Sequence, residues 1–533
     1  MEHVLVWQAT RVTPTTPSSP RPINLADVLE AMADALPDRA AIVTMERTWT
    51  FAEVDDRATR LANHLVSLGV QPGEHVAVHA TNRIEWIDAL YGCLKARAVP
   101  ININYKYLHD ELAYLYDNAD CVAAIIAPEF VDAVEALDTP TLREMVVLGE
   151  EYDAALAAAS AERLDNGRSG DDHYVLYTGG TTGSPKGVVW RIEDLIRAAL
   201  NAGRYGAPLD SVEQLVEEAV AVETPMVLLA CGPMMHGGSQ VAGHTVALYT
   251  EPSFSATGIL DLVEKARVVS LTFLGDAMGR PVAEAILAEP DRWDLSSLAA
   301  VSNGAAPLSD GVREEIRRAL PGRFILDSYG SSESGAAGSR IDDGTDGGAA
   351  APRFTVNDQV EVFDPEMKPC PPGVDGLLGR TGPVPLGYYK DPVKTAATFK
   401  EVDGVRWVLP GDFARREEDG SVTVLGRGSV CINTGGEKVH PEEVEAVLLR
   451  HDDVFDAVVV GTPHERWGQQ VTALVQRRDG ASITEEDVRE HCRSLIANYK
   501  VPKSVFFIEE VPRTPVSKVD YPASAELATQ LLG

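Results

Sequence analysis

Residues 177–187 read YTGGTTGSPKG and decide how the rest of this 533-residue chain is read. They follow the apolar run Tyr174-Val175-Leu176 and contain four glycines, five hydroxyl side chains counting Tyr177, and one lysine, Lys186. Glycine lets backbone N–H groups close around an anion without side-chain obstruction. Thr178, Thr181, Thr182 and Ser184 add hydroxyl donors, and Lys186 adds positive charge. A cradle for a triphosphate is predicted, the bland alternative being a flexible Gly/Thr turn. The Walker A spacing GxxxxGK[ST] is absent because Lys186 follows Pro185.

Around this loop the chain has the size of two or more domains. Its hydrophobic fraction is 45%, ordinary for a globular protein. With 47 Lys+Arg against 80 Asp+Glu the formal charge is -33. Such a field repels nucleic acid and anionic membrane surfaces, so neither is an expected partner, and anionic ligands must be held by local donors. The six cysteines show no CxxC or close pairing, which predicts reduced packing thiols in a cytosolic protein and no zinc site. The N-terminus lacks a basic region followed by an apolar core, and residues 1–22 read as a flexible tail. No apolar run reaches the roughly 18 residues that span a bilayer, so no integral membrane segment is expected.

From Asn24 onward helical and strand periods alternate. Leu25, Val28, Leu29, Met32 and Leu36 recur at helical spacing and stop at Pro37, and Thr50 with Glu53 reads as a capping box opening a second helix. Strands at 75–80, 98–103 and 121–127 alternate with helices at 85–95 and 111–116, the pattern of doubly wound α/β layers with largely parallel strands. Residues 342–351 read as a glycine-rich surface loop. Near Leu425-Gly426-Arg427-Gly428 the pattern changes to a compact α+β unit, with helices at 442–449 and 485–496 and strands at 455–460, 471–476 and 505–508. The predicted architecture is a large N-terminal α/β domain, 23–426, followed by a small α+β lid, 427–533.

The loop 177–187 closely resembles the signature of the adenylate-forming superfamily of acyl-CoA synthetases, peptide-synthetase adenylation domains and luciferases, with Gly179 where a serine is usual. The resemblance runs from about residue 25 to the C-terminus. It implies that ATP converts a carboxylate to acyl-AMP and pyrophosphate, a reaction between two anions that needs cations and oriented donors. In the cradle it assigns Thr178, Gly179, Gly180, Thr181, Thr182, Gly183 and Lys186 to the phosphates. Residues 327–333, DSYGSSE, resemble the family's YGxTE segment. By that resemblance Tyr329 stacks on adenine beside Gly330, Asp327 accepts from its amino group, Ser332 bonds the α-phosphate and Glu333 holds Mg²⁺. Asn303, Gly304 and Ala305 belong to a GGAPL-like turn that lets adenine and acyl group approach the backbone. Asp412 matches the acceptor for the ribose hydroxyls, and Arg427 follows it at the family's spacing. Lys518, in a segment resembling PRTxxGK, is the lysine that reaches the reacting carboxylate and phosphate.

The family's lid rotates between half-reactions, about a hinge that here is Ser429, and Gly435, Gly436 and Lys438 then form the access for CoA. His236, Gly237, Gly238, Ser239 and Asn303 are expected to line the acyl pocket. No acid occurs between Pro225 and Tyr249, which disfavours an amino-acid substrate. The segments YTGGTTG, PMMHGGS, FLGDAM and GRGSVCINTGGEKV resemble actinobacterial acyl-CoA synthetases for steroid side-chain and other bulky acids. The implied partners are a carboxylic acid and either CoA or an acyl-accepting protein or amine, with a homodimer left open. Two alternatives stand beside the bulky-acid ligase: an enzyme that stops at acyl-AMP, and a general medium- or long-chain fatty acyl-CoA synthetase.

Overall fold

The computed structural model describes residues 22–178, 185–198, 211–232, 243–304, 306, 308–342, 352–427, 430–434, 437–464, 468–496, 498–514 and 518–533. Its first helices arise from local signals. Helix Leu25–Ala35 begins where the Asn24 side chain accepts from the Ala26 N–H. The capping box of Thr50 and Glu53 is present and opens helix Phe51–Ser67. In helix Ile84–Lys95 every residue but Glu85 is buried, as in a helix with packed neighbours on all sides. Close approach there demands Gly92, since a Cβ would lie 2.8 Å from Leu61 Cδ2.

Charged side chains fasten these helices together. Lys95 Nζ sits 2.6 Å from both Glu30 and Asp55. Arg163 joins Asp55 at 2.7 Å to Asp34 at 2.8 Å. Arg168 joins Asp27, at 2.7 Å, to Glu30. Each carboxylate in this set has a cation within reach, the condition under which charge survives inside a protein.

Two large sheets carry the N-terminal part. The first runs, in spatial order, Gly387–Tyr388, Lys186–Arg191, His173–Thr178, Val99–Asn102, His75–His79, Cys121–Ile126 and Glu144–Val147. The second runs Gly335–Asp342, Phe324–Ser331, Ala300–Asn303, Ser270–Phe273, Val227–Ala230, Thr245–Ala247, Ala40–Val43 and Thr48–Thr50. Both are parallel through the middle and antiparallel at an edge.

A third sheet of seven strands, lying between Arg353 and Arg427, was not anticipated. Its strands are short and joined by tight antiparallel turns, as in Phe399–Val402 with Val405–Val408. Runs of two to six residues are too brief for a period to declare itself.

Strand Val422–Arg427 pairs with Asp412–Arg416 in that third sheet, whereas the next strand, Ile432–Thr434, joins the C-terminal sheet. There Val454–His464 and Gly468–Arg477 form a long antiparallel pair, and Ser504–Ile508 lies parallel to the second of them. Helices Pro441–Leu448 and Glu485–Leu495 cover it as expected, and a terminal helix, Tyr521–Leu532, was missed. All six cysteines are free. No helix among the described residues is long and apolar enough to cross a membrane.

Candidate active site

Parallel neighbours need long crossovers, whereas antiparallel neighbours can turn back within a few residues. Among the described residues Ser332 and Glu333 fall in such a turn, between Phe324–Ser331 and Gly335–Asp342. In the first sheet Thr178 stands opposite Lys186, so the predicted cradle links the two strands of an antiparallel hairpin. Gly179, Gly180, Thr181, Thr182 and Gly183 lie outside the described residues. The hairpin is held from below by Asn102, whose Oδ1 accepts from the Tyr177 N–H and whose Nδ2 donates to the Tyr177 carbonyl, each at 2.8 Å.

In the second sheet the strand register shifts between Tyr329 and Gly330. A Cβ on Gly330 would lie 2.2 Å from the Gly335 carbonyl oxygen. The requirement for glycine at 330 thus comes from strand crossing, before any nucleotide is considered. Buried Arg380 holds the following turn by donating to the carbonyls of Ser334 and Pro383, and burial pushes its guanidinium down to about 10.

Strand Gly387–Tyr388 draws the two edges together, with Tyr388 opposite Val188. The Tyr388 ring centroid lies 5.9 Å from Lys186 Nζ, and its hydroxyl donates to Glu333 Oε1 at 2.9 Å. Trp190 Nε1 donates to the Ser332 carbonyl at 3.0 Å. The lysine expected on phosphate and the carboxylate expected on metal thus meet through two residues that sequence reasoning missed. The only trace of Tyr388 in the sequence is the Gly387-Tyr388-Tyr389 turn, and a lone aromatic there has no period to mark it. Among the described residues Lys186 has no acidic partner, and Glu333 Oε2 makes no hydrogen bond.

Beyond Gly330, the Tyr329 hydroxyl donates to Asp412 Oδ2 at 2.6 Å, and its ring lies 5.5 Å from that of Phe354. Asp412 is buried and stands opposite Arg427 across the strand pair. Strand register alone therefore brings Asp412 and Arg427 side by side; the Arg427 side chain lies outside the described residues. Gly304 has open space beside it, a Cβ meeting only the Ser328 carbonyl oxygen at 3.9 Å. Ala305 is outside the described set.

Asp327 and Asn303 have partners that the sequence did not indicate. Asp327 is buried, with Arg313 and Arg340 at 2.7 and 3.0 Å from one oxygen and Asn303 Nδ2 at 3.2 Å from the other. Two arginines thus hold this carboxylate in place, and an adenine amino group would be a further donor to it. Asn303 accepts from the Gly275 N–H at 2.8 Å and donates to the Ala306 carbonyl at 3.0 Å. Its amide ties Gly275 and Ala306 to the end of strand Ala300–Asn303. His236, Gly237, Gly238 and Ser239 lie outside the described residues.

On the C-terminal unit Lys518 closes a tight turn, the Thr514 N–H donating to the Lys518 carbonyl at 2.7 Å, and its side chain is exposed. Arg450 pairs with Asp310 at 2.9 Å and Arg478 with Glu315 at 3.4 Å, both contacts falling on helix Asp310–Ala319. Ser429, Gly435 and Gly436 are outside the described residues. Lys438 lies opposite Asn433 in strand Glu437–Val439, its side chain likewise outside them.

The arrangement suits chemistry on a nucleotide: an unpaired ammonium and a half-free carboxylate at one end, an aromatic ring and a buried carboxylate at the other. The AMP-binding enzyme family matches residues 29–389, and the AMP-binding enzyme C-terminal domain matches residues 443–518. The medium/long-chain-fatty-acid–CoA/3-oxocholest-4-en-26-oate–CoA ligase of Mycobacterium tuberculosis is 42% identical over 94% of this chain and 95% of its own length. The 3-oxocholest-4-en-26-oate–CoA ligase of Rhodococcus rhodochrous is 41% identical over the same shares, 94% and 95%. Among solved structures, ATP-bound MatB from Rhodopseudomonas palustris superposes with a TM-score of 0.80 at 28% identity, covering 96% of this chain and all of that one.

Proposed function

The chain belongs to the AMP-binding enzyme family, and on that premise we propose that it activates a bulky, steroid- or terpenoid-like carboxylic acid with ATP and passes the acyl group to CoA. It is an AMP-forming acid–CoA ligase. In the first step a carboxylate oxygen attacks the α-phosphorus and the bond to pyrophosphate breaks. In the second the CoA sulfur attacks the acyl carbon and AMP leaves. One observation carries the assignment: Lys186 and Glu333, from different sheets, converge through Tyr388 beside the Tyr329–Asp412 pair.

In this reading Lys186 and the hydroxyls of Thr178 and Ser332 meet the phosphates, Tyr329 stacks on the base, and Asp412 and Arg427 hold the ribose. The half-free carboxylate of Glu333 fits a hard cation. Mg²⁺ bound there offsets the charge of the phosphates. Lys518 enters with the lid for adenylation. Rotation about Ser429 then brings Gly435, Gly436 and Lys438 to the site for thioester formation. The bulky-acid assignment is supported by the 3-oxocholest-4-en-26-oate named for both relatives above. The fatty-acid part of the first relative's name favours a second reading, a broad medium- and long-chain acyl-CoA synthetase.

The test is a panel of acids, from octanoate and palmitate to a steroid side-chain acid and a diterpenoid acid, with pyrophosphate and thioester assayed separately. The expected result is both products, with the highest kcat/KM on a fused-ring acid. Outright preference for palmitate replaces the bulky-acid reading with the second one. Pyrophosphate without thioester makes this an adenylation-only enzyme.

A further inference from the structure

We infer that Tyr388 is a positioning residue for the metal-facing carboxylate: its hydroxyl holds Glu333 Oε1 so that the other oxygen is presented to the cation on the nucleotide phosphates. The inference rests on the reading of Glu333 proposed above and deepens it by giving Tyr388 a role of its own.

Three features make Tyr388 a rigid support. Its backbone is set from two sides, by pairing with Val188 and by a hydrogen bond from its N–H to Thr395 Oγ1 at 2.9 Å. Gly387 before it has φ 151°, where a side chain is strained, and a Cβ would also lie 2.5 Å from Thr395 Cγ2. The ring is buried edge-on to Phe399, with centroids 6.0 Å apart. A phenol held this way has little freedom, so its hydroxyl imposes one orientation on a glutamate that otherwise has three rotatable bonds.

The glutamate is tethered on its backbone side as well. Trp190 holds the carbonyl of Ser332, one residue earlier, from the strand that also carries Lys186. Carboxylate and ammonium thus hang from one strand pair, and Tyr388 lies between them, its hydroxyl on the anion and its π-face toward the cation. Partners of this kind, which orient a ligating carboxylate without touching the metal, govern affinity by about 10- to 100-fold.

The test removes one oxygen atom. Mn²⁺ binding in the presence of a non-hydrolysable α,β-methylene ATP is followed by electron paramagnetic resonance in wild type, Tyr388→Phe, Glu333→Gln and the double variant. Pyrophosphate release is measured against Mg²⁺ concentration alongside. The expected result is Mn²⁺ binding weakened about tenfold or more by Tyr388→Phe, with kcat at saturating Mg²⁺ recovering to within about threefold. In the Glu333→Gln background the second substitution adds less than twofold. Tyr389→Phe, which removes a hydroxyl bonded to Asp120 at 2.8 Å, leaves both constants unchanged. Tyr388→His, which restores a ring donor, recovers part of the affinity and serves also if the phenylalanine variant does not fold. Equal Mn²⁺ affinity in Tyr388→Phe and wild type, with Glu333→Gln weakened, overturns the inference alone. Equal affinity in Glu333→Gln and wild type overturns the metal reading of Glu333, and the inference with it.

Discussion

Lys95 and Lys186 stand at the centres of two charged clusters built on opposite rules. Around Lys95, which is 2% exposed, two carboxylates lie at 2.6 Å and are shared with arginines on neighbouring segments. Around Lys186 the described residues provide an aromatic face and, beyond its hydroxyl, a carboxylate with one oxygen unbonded. The first cluster neutralises itself and needs nothing further. The second, among the described residues, leaves an ammonium and one carboxylate oxygen without a side-chain partner, and the proposed function places the nucleotide phosphates and their cation there. Charged residues drawn together by a fold are therefore sorted by what is left unpaired.

The sharpest way to break that contrast is to remove the lysine at the centre of the first cluster and the lysine proposed to enter the second. Lys95→Ala leaves Glu30 and Asp55 buried without their shared cation, and a loss of about 3–5 kcal/mol of stability is expected. Chemical denaturation measures it, and a change below about 1 kcal/mol means the cluster is more hydrated than its burial suggests. Lys518→Ala tests the open cluster, since the incoming lysine is assigned to the transition state. Pyrophosphate release should fall by on the order of 10²–10³ while ATP binding by calorimetry is retained. A loss within threefold removes Lys518 from the chemistry.

A pH titration sharpens the closed side of the comparison. His79 is buried and stacked on Phe130, with ring centroids 4.5 Å apart, and burial pushes its imidazole down to about 4. The unfolded chain binds the proton first as pH falls below about 6.5, so stability present above that pH is lost on acidification toward 4, with a ceiling of ~3 kcal/mol. In His79→Phe the denaturation midpoint should fall less steeply across this window; identical slopes assign the acid sensitivity elsewhere. The smallest effect is expected at Tyr329→Phe, which frees Asp412 from its 2.6 Å hydrogen bond. Bonds to charged groups are worth about 1.5–3 kcal/mol. Denaturation should therefore show a loss of stability of up to that size, and an unchanged midpoint means that the bond contributes nothing to the fold.

How much of this was legible in the sequence differs element by element. The capping box at Thr50 and Glu53 and the strands near 75–80 and 121–127 were read correctly, because local hydrogen bonding and side-chain period determine them. The antiparallel sheet between Arg353 and Arg427 was not, since strands so short leave no period. Lys186, Tyr329, Glu333 and Asp412 were named from motif resemblance, and the structure places Lys186 and Glu333 about Tyr388 and bonds Tyr329 to Asp412. The same resemblance gave no sign of the contacts of Asp327 and Asn303, whose polar atoms meet Arg313, Arg340, Gly275 and Ala306. A motif records which residue stands at a position and is silent on what else the fold has placed within bonding distance.

The sequence by itself determined the alternation of helix and strand, the glycine-rich loop, the acidic composition and the family, all properties of short range or of composition. Only the tertiary structure decided that Tyr388 lies between Lys186 and Glu333, that Gly330 is demanded by Gly335, and that Asp327 is already neutralised. The reason is physical: those facts are distances set by which strands end up adjacent and in what register, and neither side-chain period nor propensity encodes them.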